Sequence, residues 1–142
     1  MAVKKKRKVV RKKVVGKKVL KKKVFISFDF NNDRRLKNSL VAQSRLRRSP
    51  FEIVDCSLKE EAPMKAWASK AKSQIKGADT VIVMVGTKTY KAPGVLKEVE
   101  IANQLQINIC QIIGYEDKDC PAVEGAGPLH SWTWDNLKRL LG

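Results

Sequence analysis

Two short segments hold the side chains best placed for chemistry, because each follows an apolar run typical of a β-strand. Phe28 and Asp29 lie near the end of the run VFISFDF, and Thr87 and Thr89 follow the run DTVIVMVG. An aromatic ring can stack on a base or a ribose, a carboxylate can bind sugar hydroxyls, and threonine hydroxyls with backbone N–H groups can bind phosphate. The structural alternatives are a core phenylalanine, an aspartate that caps the next helix, and threonines that form a turn.

Several catalytic classes are disfavoured because their residues are absent. The sequence has no GxxxxGKS or GxxxxGKT loop and no GxGxxG after its first apolar run, so neither a P-loop nucleotidase nor a dinucleotide-binding fold of that kind is expected. His130 is the sole histidine, in a loop rich in Gly and Pro, and the three cysteines have no CxxC spacing. The third strand ends at Gly86 without the aspartate that a response-regulator receiver needs. We therefore expect no metal site and no resident cofactor.

Charge divides the chain into two parts. The 142 residues carry a net charge of +16, and residues 1–23 hold 13 of the 30 lysines and arginines but no acidic residue. Residues 24–142 therefore hold 30 − 13 = 17 basic and 14 acidic side chains, a net charge of +3. We predict a basic arm over 1–23 and one domain over 24–142. The few cysteines and the lack of an apolar run of about 20 residues predict a cytoplasmic protein without a transmembrane segment.

The arm repeats a five-residue unit, two apolar residues and then three mostly cationic ones, from Val9, Val14 and Val19. This period fits neither a helix face nor an alternating strand, and the density of like charge opposes compaction, so we predict disorder. Residues 4–23 suit three roles: binding nucleic acid through its phosphates, binding an anionic membrane surface, or remaining a solvated tail. No aromatic residue precedes Phe25, so base stacking by the arm is not expected.

Strand-like and helix-like segments alternate along the body. Strands are predicted at 24–30, 51–57, 79–86 and 107–115, and helices after Asp33, from Pro63, after Pro93 and over 131–141. This alternation predicts an α/β fold: a doubly wound, flavodoxin-like parallel sheet of strand order 2-1-3-4, with room for a fifth strand and helices on both faces. The ligand crevice of such a sheet lies at the carboxyl ends of strands one and three, where the two polar segments fall.

Four stretches of the chain carry a family resemblance. VFISFDFNND (24–33) resembles the first box of TIR domains, and VIVMVGTKTYKAPGVLKEVEIANQL (81–105) resembles the later TIR strand, Thr-containing loop and glutamate-bearing helix. KAWASKAKSQIKGADTVIV (65–83) and SWTWDNLKRLL (131–141) are similar to the TIR-like branch that includes the Thoeris antiphage component ThsB. The resemblance covers about 24–142 and implies a TIR-like domain.

Enzymatic TIR domains cleave the nicotinamide–ribose bond of NAD⁺, so the resemblance implies NAD⁺ as substrate and Glu98, by motif position, as the catalytic residue. Glu100 lies about 200° further around the helix and points away. Bond cleavage generates an oxocarbenium-like ribose and a neutral nicotinamide, so one carboxylate that stabilises the cation can suffice. The alternative for Glu98 is a solvated surface glutamate. The sequence also departs from many TIR enzymes at KAPGV (91–95), where they show Ser-x-Trp.

The resemblance implies two functions. The first is an NAD⁺ hydrolase or cyclase that makes a nucleotide signal in defence against phage, with Phe28, Asp29, Ser57, Thr87 and Thr89 as candidate substrate contacts. Ser57 follows strand two, in a segment that often governs assembly of TIR domains, so self-association is expected. The second is a non-catalytic adaptor that acts through self-association or a protein partner, with the basic arm as a tether to nucleic acid.

Overall fold

The computed structural model describes residues 14–15, 18–19, 21–54 and 64–142. Its central feature is a five-stranded sheet in which all neighbouring strands are parallel. In the order β2-β1-β3-β4-β5, it consists of β1 (Lys22–Ser27), β2 (Phe51–Ile53), β3 (Thr80–Val85), β4 (Asn108–Ile113) and β5 (Leu129–Ser131). The predicted α/β, doubly wound, flavodoxin-like fold is confirmed.

Helices follow each of the first three strands, and a fourth helix follows β5 and closes the described chain. They are α1 (Arg34–Ser44), α2 (Met64–Lys76), α3 (Pro93–Gln104) and α4 (Trp134–Leu141), and a 3₁₀ turn over Thr89–Lys91 precedes α3. A proline begins α3, at a position whose N–H would have no partner within the helix. The Thr133 hydroxyl caps α4 by accepting a 3.0 Å hydrogen bond from the backbone N–H of Asn136.

The core lies on both faces of the central strands. All six residues of β3 are buried, as expected for a continuous apolar run in a parallel sheet. Strand β1 begins with the exposed Lys22 and Lys23 and continues with four buried residues, so the sheet includes two residues that the sequence assigned to the arm. At the end of β1, Ser27 reaches α3 while the ring of Phe28 reaches Lys37 on α1. Helices therefore cover both faces.

The segment before α4 differs from the sequence-based expectation. Residues 129–131 form the edge strand β5, which places His130 in a strand, and α4 begins at Trp134 instead of at Ser131. Strand β5 is short and mostly exposed, so it has no apolar pattern that the sequence could reveal. A 2.7 Å hydrogen bond from the Trp132 indole N–H to Gln43 Oε1 ties this segment to α1.

A separate antiparallel pair is formed by Val14–Val15 and Lys18–Val19. The other residues of 1–20 lie outside the described ranges, so the disorder of the arm stays a prediction. Within the described ranges, no helix has both the length and the apolar character needed to cross a membrane.

Candidate functional site

Helix α3 turns Glu98 toward the sheet. Buried residues repeat on this helix face at spacings of three and four, namely Val95, Glu98, Val99 and Ala102. Glu98 has no solvent-exposed surface (0% exposed), and its Oε1 accepts a 2.7 Å hydrogen bond from the hydroxyl of Ser27. A carboxylate held in this way, away from water, can stabilise a positive charge that develops next to it.

Ser27 reaches Glu98 because it is the last residue of the central strand β1, where it pairs with Val83 of β3. The sequence reasoning did not select Ser27. Its signal was a single polar residue inside the apolar run VFISF, on the strand face that alternation assigns to Phe25. The glutamate and the serine are 71 residues apart, so only the fold brings them together.

Glu100 takes the opposite orientation on the same helix. Its carboxylate is exposed and forms a 3.2 Å ion pair with Lys97. Of the two glutamates, only Glu98 thus faces the sheet, and the alternative of a solvated Glu98 does not hold.

A second buried carboxylate, Asp33, links three loops at the carboxyl end of the sheet. Its Oδ2 accepts a 3.2 Å hydrogen bond from the Thr89 hydroxyl, and its Oδ1 accepts a 3.0 Å bond from the Tyr115 hydroxyl. The Thr89 hydroxyl in turn accepts a 2.7 Å bond from the backbone N–H of Gly86. Asp33 occupies the N-cap position of α1, but its side chain makes no capping bond there. The Asp33 cluster (Asp33, Gly86, Thr89 and Tyr115) therefore joins α1 to the ends of β3 and β4.

Burial controls the protonation of this cluster. Desolvation raises the pKa of the Asp33 carboxyl above its ordinary value, and the hydrogen bonds from Tyr115 and Thr89 oppose that rise. The pKa of Tyr115 is also raised, first by burial and then by its bond to Asp33. Gly86 makes this approach possible, because a Cβ atom at that position would collide with the Asp33 carboxylate.

Residues 25–119 match the family described as the Thoeris protein ThsB, TIR-like domain. The matched stretch is more than half of the 142 residues. The chain belongs to the ThsB TIR-like family. Solved structures similar to it include that of the Clostridium botulinum CMP N-glycosidase BcmB, with 16% sequence identity and a TM-score of 0.51 over 84% of this chain and 97% of that one. At this identity the likeness shows the fold alone. A search of curated protein sequences gives no match.

Phe28 and Asp29 lie in the loop that follows β1 of the TIR-like domain. The ring of Phe28 is 2% exposed, with its centroid 6.2 Å from that of Phe30. Asp29 is 6% exposed, and its carboxylate accepts a 3.2 Å bond from the Asn31 backbone N–H and a 2.6 Å bond from the Asn32 side-chain amide. Both residues contact their own loop.

The remaining predicted substrate contacts of the TIR-like domain are Thr87, Thr89 and Ser57. Thr87 is exposed after β3, whereas Thr89 is fully buried and belongs to the Asp33 cluster. Ser57 lies outside the described residues. Sequence reasoning missed Asp33 and Tyr115 as partners, although each follows the carboxyl end of a predicted strand, where side chains from neighbouring parallel strands converge.

An open cavity of about 350 Å³ lies at the carboxyl ends of β4 and β5 of the TIR-like domain, lined by Ile113, Tyr115, Glu116, Lys118, Asp119, Cys120, Ser131 and Trp132. Within the described ranges, no group of three or more His, Cys, Asp or Glu side chains is arranged to hold a metal ion. Burial raises the pKa of Cys110 to about 11, so its thiol is protonated at neutral pH and is a poor nucleophile.

Proposed function

We propose that this TIR-like protein cleaves the N-glycosidic bond of a nucleotide, with NAD⁺ as substrate and Glu98 as the catalytic residue. The observation that carries the proposal is the complete burial of Glu98 beside Ser27 at the carboxyl end of β1. Membership of the ThsB TIR-like family supports it. The fold shared with a protein described as a CMP N-glycosidase, whose name denotes cleavage of the same kind of bond, supports it too.

The proposed reaction breaks the bond between ribose C1′ and the nicotinamide nitrogen. Nicotinamide leaves with the bonding electron pair as a neutral molecule, and the ribose becomes an oxocarbenium-like cation that the Glu98 carboxylate stabilises. Water then adds to C1′ and releases a proton, giving ADP-ribose. In a cyclase, another nucleophile of the same dinucleotide replaces the water. One carboxylate suffices, because the leaving group needs no protonation.

Ser27 is the positioning residue in this proposal. Its hydroxyl donates to Glu98 Oε1 at 2.7 Å and so fixes the carboxylate relative to the central strand. Because Glu98 has no exposed surface, contact with a ribose requires the segments that cover it to move when substrate binds or when copies of the protein assemble. We therefore expect activity to depend on self-association or on a trigger.

Mass spectrometry of NAD⁺ and of CMP after incubation with the protein tests the proposal, with and without phage lysate. Wild-type protein and the Glu100→Gln control are expected to release nicotinamide from NAD⁺. We expect Glu98→Gln to lower the rate by about 1,000-fold, while the circular dichroism spectrum stays unchanged. Equal turnover by Glu98→Gln, or no consumption of either nucleotide by concentrated, lysate-treated protein, would overturn it. Consumption of CMP alone would keep the bond type and change the substrate.

Complete burial of Glu98 also favours a second candidate, a non-catalytic adaptor that acts by self-association. Analytical ultracentrifugation separates the two functions. Oligomers that form with rising concentration and consume no nucleotide would support the adaptor, whereas nucleotide consumption that appears together with the oligomers would support the enzyme. A role in antiphage defence within the cytoplasm is part of the first proposal, and membership of the ThsB TIR-like family supports the defence role.

A further inference from the structure

Six exposed cations lie together at the amino end of the sheet. This amino-end basic face consists of Lys21, Lys22, Lys23, Arg45, Arg47 and Arg48. The lysines lead into and begin strand β1, and the arginines belong to the turn between α1 and β2. The amino-end basic face is part of the folded domain, because all six residues lie within the described ranges, next to or within β1 or in the turn before β2.

Backbone hydrogen bonds hold the two groups of cations next to each other. The N–H of Lys22 donates to the carbonyl of Pro50 at 3.2 Å, and Lys22 pairs with Phe51 in the sheet. The arginine turn is closed by a 3.0 Å bond from the Ser49 N–H to the Leu46 carbonyl. Since Arg48 is only two residues before Pro50, the arginines and the lysines share one edge of the domain.

Within the described ranges, the charge of this face is largely uncompensated. Residues 34–51 contain no acidic side chain. Glu52 pairs with Lys23 across the strands, and the Asp79 carboxylate accepts a 2.8 Å bond from the backbone N–H of Lys23. Among the residues that the structure describes, no carboxylate forms an ion pair with Arg45, Arg47 or Arg48. Exposed guanidinium groups that form no ion pair with a described carboxylate are suited to bidentate hydrogen bonds with phosphate.

We propose that the amino-end basic face binds the phosphate backbone of nucleic acid. The ten cations of residues 1–20 precede Lys21 directly in the sequence, so further positive charge is tethered to this face. The face has no aromatic residue for base stacking, so its binding is independent of sequence. A membrane-binding surface would need an apolar stripe beside the charges, and here Leu46 is the one large exposed apolar side chain of the turn.

The basic face and the candidate active site lie at opposite ends of strand β1. Lys22 begins the strand and Ser27, the partner of Glu98, ends it. Five residue steps of about 3.3 Å separate them by roughly 17 Å. A duplex bound to the basic face therefore does not cover the carboxyl end of β1, and this inference stands whether or not Glu98 is catalytic.

The test measures binding of the full chain to a short duplex DNA by fluorescence anisotropy over a range of salt concentrations. The variant Arg45→Ala/Arg47→Ala/Arg48→Ala removes three phosphate contacts. The matched control Lys88→Ala/Lys91→Ala/Lys118→Ala removes the same charge from exposed positions near the carboxyl end of the sheet. We expect the arginine variant to flatten the slope of log affinity against log salt by about 3 and to weaken binding on the order of 100-fold at physiological salt.

The control variant is expected to change the slope by less than about 1, because its lysines do not contact the duplex. Thermal unfolding of both variants checks that the domain remains folded. Equal losses in the two variants, or an unchanged slope in the arginine variant, would overturn the proposal in favour of binding by the arm alone. The proposal would also be overturned, in favour of a membrane surface, by a different pair of results. In that case the wild-type protein binds phosphatidylserine vesicles but not DNA, and the arginine variant loses the binding to vesicles.

Discussion

Two buried carboxylates, Glu98 and Asp33, lie near the carboxyl end of the same sheet, and the chain holds them differently. Asp33 accepts one hydroxyl bond on each oxygen, from residues 56 and 82 positions away, and so fastens three loops together. Glu98 lies on a helix and accepts a bond from the last residue of the central strand. Burial alone therefore does not distinguish a structural carboxylate from a candidate catalytic one.

The largest effect on stability is expected from Gly86→Ala. A Cβ atom at this position meets the Asp33 carboxylate, which cannot move aside without losing its bonds to Thr89 and Tyr115. We expect the free energy of unfolding to fall by about 3 kcal/mol, as measured by urea denaturation. The control is Gly77→Ala, whose new Cβ atom meets nothing closer than the Gln74 carbonyl at 3.7 Å. Similar losses in both variants would show that the Asp33 cluster is not rigid.

Asp33→Asn is expected to have a smaller effect that depends on pH. Burial raises the pKa of Asp33 above 3.8, so the folded protein retains a proton there at pH values at which the unfolded chain has lost it. The contribution of Asp33 to stability therefore increases as pH falls through its folded pKa and decreases as pH rises. The variant should lose about 1–2 kcal/mol at pH 4 and less at neutral pH.

Urea denaturation of the wild type and of Asp33→Asn across this pH range measures the difference directly, since other titrating groups cancel between the two proteins. A difference that grows toward neutral pH would contradict the assignment of Asp33 as a carboxyl whose charge is disfavoured by burial.

Ser27→Ala separates the role of Glu98 from that of Asp33. Loss of the 2.7 Å bond to Glu98 is expected to cost about 1 kcal/mol of stability. If Ser27 positions the catalytic carboxylate, kcat for nicotinamide release should fall about 10-fold with little change in KM. A fall in stability without a change in kcat would assign Ser27 a purely structural role.

The smallest effect is expected from Glu100→Gln. This change breaks an exposed ion pair with Lys97, so the free energy of unfolding should change by less than about 0.5 kcal/mol. Thermal unfolding at low and high salt measures this difference. A larger loss would mean that the outer face of α3 is covered by a partner or a second copy.

The sequence was most informative where one segment carries its own pattern. The apolar run of β3 predicted a strand buried on both faces, and Pro93 marked the start of α3. Short exposed segments carried no such pattern, and β5 was accordingly missed as the strand that contains His130. Strand β1 also begins earlier than expected, because Lys22 and Lys23 are exposed at its start and resemble the arm in composition.

The candidate site was only partly predictable for a physical reason. The inward orientation of Glu98 follows from helix periodicity, whereas its partner Ser27 is 71 residues away. The same distance in sequence hid the function of Asp33, because helix capping is a local role and the bonds to Thr89 and Tyr115 depend on the order of strands in the sheet. Local patterns identify such residues one at a time, and the sheet topology decides which of them meet.

The placement of the lysines at the start of β1, one strand length from Ser27, has a consequence for how many copies act together. If the amino-end basic face holds the protein on a long nucleic acid, each copy is confined to a narrow cylinder around that polymer. Neighbouring copies then meet far more often than in free solution. This high local concentration would promote contacts between the carboxyl ends of the sheets of neighbouring copies. The same tether would then serve as the scaffold on which assembly begins.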